Sequence, residues 1–274
     1  MVTELRAESD RLRLLMLEVH RRAGAGHLGS ALSIAEILTA ILGRHFRWSH
    51  LDDEQTCGDR LVLSKGHAAL GLYCSLALAG KIEFERLLTF GRNGSVLEPH
   101  PNESTEPALH ASTGSLGQGL SIGVGLALGS RMLGNLDRTF VIIGDGELNE
   151  GQIWEAARSA AFLGLRNLVV VLDDNGMQQD GPTAEIMPVR DALECFRSIG
   201  WITSECDGHD CDALDASLQR ALAASDPRPR LIRATTVKGR GVDFLEGRTE
   251  SHYPPPLSAD ELALVRYVIS RGVA

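Results

Sequence analysis

Two short polar motifs, each set directly after an apolar run, are the residues of this chain best suited to chemistry. Gly144-Asp145-Gly146 follows Phe140-Val-Ile-Ile143, and Asn175 follows Leu168-Val-Val-Val-Leu172. Runs this short and β-branched, bounded by turn residues, read as strands buried on both faces of a parallel sheet. Both motifs then fall at strand C-terminal ends, the edge where open parallel α/β sheets bind ligands. An Asp carboxylate, an Asn amide oxygen and a main-chain carbonyl from the next turn are the all-oxygen donors that magnesium or calcium takes; diphosphate oxygens and water complete the shell. Gly144 and Gly146 let the main chain approach phosphates with no Cβ in the way, and N–H groups at the start of a helix over 152–162 can donate to them. Taken singly, Gly-Asp-Gly reads equally as a surface turn, and 173–176 as an Asx turn. Two such turns, each ending a buried strand with one helix between them, point to a metal-diphosphate grip.

The elements that must position these residues form one continuous α/β domain over 1–274, without linker or repeat. Strands are expected at 60–63, 139–143, 167–172, 201–205 and 231–236, with helical stretches between most of them. That alternation predicts a doubly wound, mostly parallel sheet with helices on both faces. Ser33-x-x-Glu36 and Ser258-x-x-Glu261 read as capping boxes that start helices, the first running through Ile37, Leu38, Ile41 and Leu42. The stretch 116–129 reads as a helix although it holds Gly117, Gly119, Gly123, Gly125 and Gly129, each costing about 1 kcal/mol against Ala in a helix interior. Close helix approach offsets that cost. A Rossmann glycine loop does not fit, because the spacing is wrong and no strand directly precedes it.

At this point the chain resembles a known family. Gly144-Asp-Gly-Glu-Leu-Asn-Glu-Gly151 through Leu172-Asp-Asp-Asn-Gly176 is similar to the thiamine diphosphate signature in its transketolase version. Gly26-His27-Leu-Gly29, Leu63-Ser-Lys-Gly-His67, Pro99-His100-Pro101 and Ser112-Thr-Gly-Ser-Leu-Gly-Gln-Gly119 fall in the family's order. Val237-Lys-Gly-Arg-Gly-Val242 with Ser251-His252 resembles the segment closing the family's first domain. The resemblance implies the thiamine diphosphate-binding fold, a cofactor of thiamine diphosphate with magnesium or calcium, and a chain of 274 residues matching the first domain alone. The pyrimidine-binding and C-terminal domains are then expected on a separate C-terminal subunit, in an α2β2 assembly with the cofactor between unlike subunits.

By that resemblance His27, His100, His252 and Glu150 carry catalysis. His67, Gly114, Leu116, Gly144, Asp145, Gly146, Glu147, Asn175 and His252 hold the cofactor, and Asp145, Asn175 and the Met177 carbonyl hold the metal. Imidazoles suit proton transfer and orientation because they titrate near neutrality. Glu150 matches an acidic residue that relays between active sites across the dimer; the plain alternative is an acid favoured at a helix N-terminus. The polar stretch 178–188 reads as a loop over the diphosphate that orders on cofactor binding. The glycine-rich helix is placed beside the cofactor and near the subunit contact. Two departures stand out: His110 where a carboxylate is usual, and Ser251 and Tyr253 flanking His252 where Trp and Gly are common. Both are expected near the substrate channel. His20, His45, His50 and His209 match no motif and read as surface residues.

Composition sets outer bounds. A net charge of -9 with no basic cluster argues against a nucleic-acid partner, and nothing is long and apolar enough to span a membrane. The arginines near the N-terminus are interleaved with Glu4, Glu8, Asp10 and Glu18, which reads as an amphipathic helix rather than a targeting peptide. Five cysteines without a Cys-x-x-Cys pair fit reduced thiols in the cytoplasm, and Cys206 and Cys211 make a poor metal pair. Three functions stay open on these residues: a split transketolase moving a two-carbon ketol unit from a ketose or its phosphate to an aldose; the same cleavage delivering to a carrier-bound or specialised acceptor; and a non-catalytic cofactor-binding subunit.

Overall fold

The computed structural model describes residues 2–48, 58–103, 108–135 and 137–270. Five strands, β1 (Arg60–Leu63), β2 (Thr139–Gly144), β3 (Leu168–Asp174), β4 (Ile202–Asp207) and β5 (Arg230–Thr235), form one parallel sheet in the order β1-β2-β3-β5-β4. Its register places Gly144 beside Asp173 and Asp173 beside Ala234, so the ends of β2, β3 and β5 are level at one edge. Alternation along the strands feeds two cores. Leu61, Leu63, Phe140, Ile142, Val169, Val171, Ile232 and Ala234 point to one face, and Val62, Val141, Ile143, Val170, Leu172 and Leu231 to the other. A strand buried on both sides must be apolar throughout, which is why 140–143 and 168–172 show no polar alternation.

The first face is covered by α1 (Val2–Ala23), α2 (Leu28–Leu32), α3 (Ala35–Ala40) with a π-helical turn at Ile41–His45, α4 (Ala69–Leu78), and the short α5 (Phe84–Leu87). The second is covered by α6 (Gln118–Met132) and α7 (Gly151–Leu163). Then come α8 (Thr183–Ile186), α9 (Ala192–Ser198), whose Phe196 joins the second core, α10 (Cys211–Ala223), whose Leu214 and Leu218 join the first, and α11 (Ala259–Ser270). No helix among the described residues is long and apolar enough to cross a membrane.

Several local expectations are corrected. The Ser258 box forms, with the Ser258 N–H donating to Glu261 at 2.7 Å and the Glu261 N–H to Ser258 Oγ at 3.2 Å. The Ser33 box does not. Ser33 donates to Asp173 at 2.8 Å, Glu36 is bound by Arg13 and by His209, and α3 begins at Ala35 after Ile34. Tertiary partners have taken both side chains that the local pattern assigned to a cap. His20 is fully buried, His45 meets Asp215 at 2.8 Å and His209 meets Glu36 at 3.0 Å, so these three are not surface residues. His50 lies outside the described residues. His110 meets the Leu61 main chain of β1 at 3.2 Å and packs near the Phe46 ring, away from the residues that line the cavity at the sheet's C-terminal edge. The 178–188 stretch is a turn closed by the Gln178 N–H donating to Gly181 at 2.8 Å, followed by α8.

The glycines of α6 divide by neighbour. A Cβ on Gly119 would lie 2.5 Å from the Ser64 Cα, and one on Gly123 would lie 2.4 Å from Val141 Cγ2. These two let α6 lie directly on β1 and β2. Gly125 and Gly129 meet nothing within 4 Å.

Candidate active site

A cavity of about 300 Å³ opens at the C-terminal edge of the sheet. His27, His67, His100 and His252 line one part of it, and Gly114, Leu116, Gly144, Asp145, Gly146, Glu147 and Asn175 another. Of the predicted site residues, only Glu150 and Met177 do not line it. Lys65, Gln178, Gln179 and Tyr253 complete the wall.

Asp145 follows β2 directly and is 6% exposed. Its carboxylate accepts from the Gly146 N–H at 2.9 Å and the Thr183 hydroxyl at 2.6 Å. Burial, reinforced by the like charges of Asp173 and Asp174, pushes its pKa up to about 6. No Lys, Arg or His among the described residues pairs with it. At the end of β3 the Asn175 amide donates to Asp173 at 2.8 Å, while its carbonyl accepts from the Met177 N–H at 3.1 Å. Met177 bridges to Pro182 in the turn that carries Gln178.

Two carboxylates beneath the cavity act as knots. Asp173, fully buried, accepts from the Lys65 ammonium and the Thr236, Ser33 and Asn175 side chains, joining the ends of β1, β3 and β5 to α2. Burial raises its pKa, but the Lys65 ammonium and the hydrogen bonds outweigh that and hold it below the usual carboxylate range. Glu147, 2% exposed, accepts from the Ser64 hydroxyl, from the Gly117 N–H at 2.8 Å and from the Gly144 N–H at 3.1 Å. It thereby ties β1, β2 and the start of α6 together; Gly117, at φ +84°, can turn its N–H inward because it has no Cβ.

The imidazoles form a cluster. His27 lies 5.3 Å from His67, 5.5 Å from His100 and 4.9 Å from His252 between ring centroids, with Tyr253 at 4.2 Å. Burial lowers His27 to about 3 and His252 to about 4, with neighbouring cations and imidazoles adding to the shift, and it drives His67 well below its usual value. All three are neutral at pH 7 and can therefore accept a proton. The Nδ1 atoms of His27 and His252 are buried with no partner among the described residues, so they are free to meet a ligand. Gly114 lies beside the His100 ring at φ +155°, a backbone conformation that L side chains rarely adopt.

The residues fit a metal-bound diphosphate ester. Asp145 is a buried carboxylate lacking a cation, its partners at the edge are oxygen donors, and Gly144 and Gly146 leave main chain exposed to the cavity. The matching family model is the transketolase thiamine diphosphate binding domain, over residues 6–270. The chain belongs to the transketolase family. It is 40% identical over 252 residues to the 6-deoxy-6-sulfo-D-fructose transketolase subunit SqwG of Clostridium sp. (strain MSTE9), covering 91% of this chain and 90% of that one. It is 35% identical to an apulose-4-phosphate transketolase subunit of Phocaeicola vulgatus, covering 98% and 94%. The transketolase of Leishmania mexicana superposes with a TM-score of 0.91 at 26% identity, over 97% of this chain and 41% of that one. The protein is thus a transketolase-type transferase component of the same span as relatives named as subunits, and it binds thiamine diphosphate as its family does.

Sequence reasoning missed Lys65, Asp173, Ser64 and Lys238. A signal was present: the chain has only three lysines, Lys65, Lys81 and Lys238, among 27 basic residues, and two of them are buried at this site. Glu150, in contrast, is exposed at the start of α7 with its Cβ against Gly117.

Proposed function

We propose that this transketolase component transfers a two-carbon ketol unit from a ketose or ketose phosphate to an aldose, in a site completed by a C-terminal subunit carrying the pyrimidine-binding domain, as a cytoplasmic α2β2 assembly. The observation that carries this is four imidazoles converging on the cavity whose floor holds Asp145 and Asn175. Asp145, the Asn175 amide oxygen and the Met177 carbonyl would hold magnesium or calcium, and Gly144, Gly146, His67, Gly114, Leu116 and Glu147 would seat the diphosphate and thiazolium. When bound, thiamine diphosphate supplies the carbon nucleophile that the protein lacks.

The chain's own residues would do the rest. His27 and His252, neutral and unpartnered at Nδ1, accept the proton of a ketose hydroxyl as the carbon–carbon bond opens, and return it to the acceptor's oxygen. His100 orients the donor carbonyl, and the closely packed rings exclude water from the reacting carbons. Glu150, exposed beside Gly117, would serve a relay to a neighbouring subunit.

The two relatives cited are named for 6-deoxy-6-sulfo-D-fructose and apulose 4-phosphate. Together with Tyr253 standing over His27 at the cavity mouth, they support a specialised ketose as donor in preference to the common pentose and hexose pair. Calorimetric titration of thiamine diphosphate with magnesium tests the reading. Binding that tightens when the complementary subunit is added, and that Asp145→Ala abolishes, is the expected result. Equal binding by Asp145→Ala, or none by the wild-type mixture, refutes it.

A further inference from the structure

Tyr253 is a large aromatic side chain left 61% exposed beside two buried imidazoles. Its ring centroid lies 4.2 Å from that of His27 and 4.9 Å from that of His252, which are 4% and 9% exposed. All three line the cavity. Tyr253 is therefore the member of the group that a molecule arriving from solvent meets first. Its hydroxyl makes no hydrogen bond among the described residues, so no bond within the chain accounts for the place of the ring.

The main chain on both sides holds the ring there. Before it, the helical turn Thr249–His252 is closed by the Ser251 N–H and hydroxyl, which donate to the Arg248 carbonyl at 3.2 and 2.6 Å. Ser251 is fully buried against Gly29, two residues after His27; a Cβ on Gly29 would lie 2.5 Å from the Ser251 Oγ. After Tyr253 come Pro254, Pro255 and Pro256, whose rings fix φ near about −65°. Pro254 is buried, and Pro256 lies 3.7 Å from where a Cβ on Gly24 would sit. The stretch that carries Tyr253 and the loop that carries His27 are thus packed together as one unit, and the phenol ring keeps its place relative to the imidazoles.

The consequence is steric. In the ketol transfer proposed above, His27 and His252 accept the proton of the hydroxyl next to the bond that opens. The part of the ketose beyond that bond then extends from the imidazoles toward the mouth, where Tyr253 stands. A ring in contact with both imidazoles takes up volume that a longer donor needs, and close-packed carbon atoms require about 3.5–4.0 Å of separation.

Resting on the reading of the cavity as a ketol-transfer site, we propose that Tyr253 is a specificity-determining residue, whose ring restricts the room beyond the cleaved bond and disfavours donors with a longer straight chain there.

The test uses the full chain with its complementary subunit, thiamine diphosphate and magnesium, and three unphosphorylated donors of increasing length: erythrulose, xylulose and fructose. Each gives up its two-carbon ketol unit and leaves as the aldehyde two carbons shorter, so single-turnover release of that aldehyde gives a second-order rate constant for each donor without an acceptor. Tyr253→Gly is expected to raise the fructose-to-erythrulose ratio of these constants at least about 10-fold, the lower end of the cost of one misfitting group in a pocket, while Tyr253→Phe keeps the ratio within about threefold of wild type. Tyr253→Trp is expected to lower it. An unchanged or lowered ratio in Tyr253→Gly with erythrulose still cleaved, or a Tyr253→Phe that matches Tyr253→Gly, overturns the inference and leaves the ketol-transfer reading intact. Should Tyr253→Gly lose all cleavage, Tyr253→Trp decides, and a ratio at or above that of wild type overturns the inference. A wild-type complex that cleaves none of the three, nor fructose 6-phosphate, overturns the ketol-transfer reading and this inference with it.

Discussion

Two glycines two residues apart on α6 should respond to the same substitution with opposite signs. Gly123 and Gly125 are both helix-interior, so replacing either with Ala gains about 1 kcal/mol of helix propensity. At Gly125 nothing lies within 4 Å of the new methyl, and the gain is kept. At Gly123 the methyl would sit 2.4 Å from Val141 Cγ2, well inside the roughly 3.5–4.0 Å of an ordinary carbon contact. Val141 is fully buried in β2 and β-branched, so it cannot swing aside, and overpacking of this kind costs about 1–3 kcal/mol. Because propensity cancels between the two variants, their difference is the packing cost, about 2 kcal/mol at the centre of that range. For a chain of this size that corresponds to a Tm separation on the order of 5 °C, Gly125→Ala above wild type and Gly123→Ala at or below it. Calorimetric melting of the isolated chain measures it. If Gly123→Ala melts as high as Gly125→Ala, the claim that α6 needs glycine to lie on β2 is wrong.

Two further predictions concern histidines. His20 is fully buried and lowered by burial to about 4, against 6.5 when exposed; the unfolded chain therefore takes up the proton first as pH falls. Stability from this residue is complete above pH 6.5 and is lost by about 3 kcal/mol between pH 6.5 and 4. Denaturant melts of wild type and His20→Gln should lose stability at different rates across that window, and parallel losses would exclude His20 as the cause. His27→Ala should leave thiamine diphosphate affinity within about threefold of wild type while lowering ketol transfer by 100-fold or more, about the contribution of a positioned acid or base. An unimpaired rate would remove His27 from proton transfer and reopen a non-catalytic role.

What could be read from the linear chain was whatever depends on short-range pattern. The apolar runs at 140–143 and 168–172 predicted strands buried on both faces, and the turns after them fall at the sheet edge where the cavity opens. The four motif histidines were legible because each sits in a distinctive local string, and they share one cavity. His20 and His209 were read as surface residues because burial depends on what packs over a residue, and nothing in their own neighbourhood encodes it.

The sequence by itself determined the alternation of strands and helices, the family, and the residue types at the sheet edge, since these follow from periodicity and from strings a few residues long. Only the tertiary structure decided the partners. Ser33 and Glu36 form a local cap on paper, yet they bond to Asp173, Arg13 and His209. Asp173 joins four side chains, three of them more than 60 residues away along the chain, into one buried knot. Such choices are global: a buried polar atom bonds to whatever donor the packed helices and strands bring within reach, because leaving it unpaired costs more than forgoing its local partner.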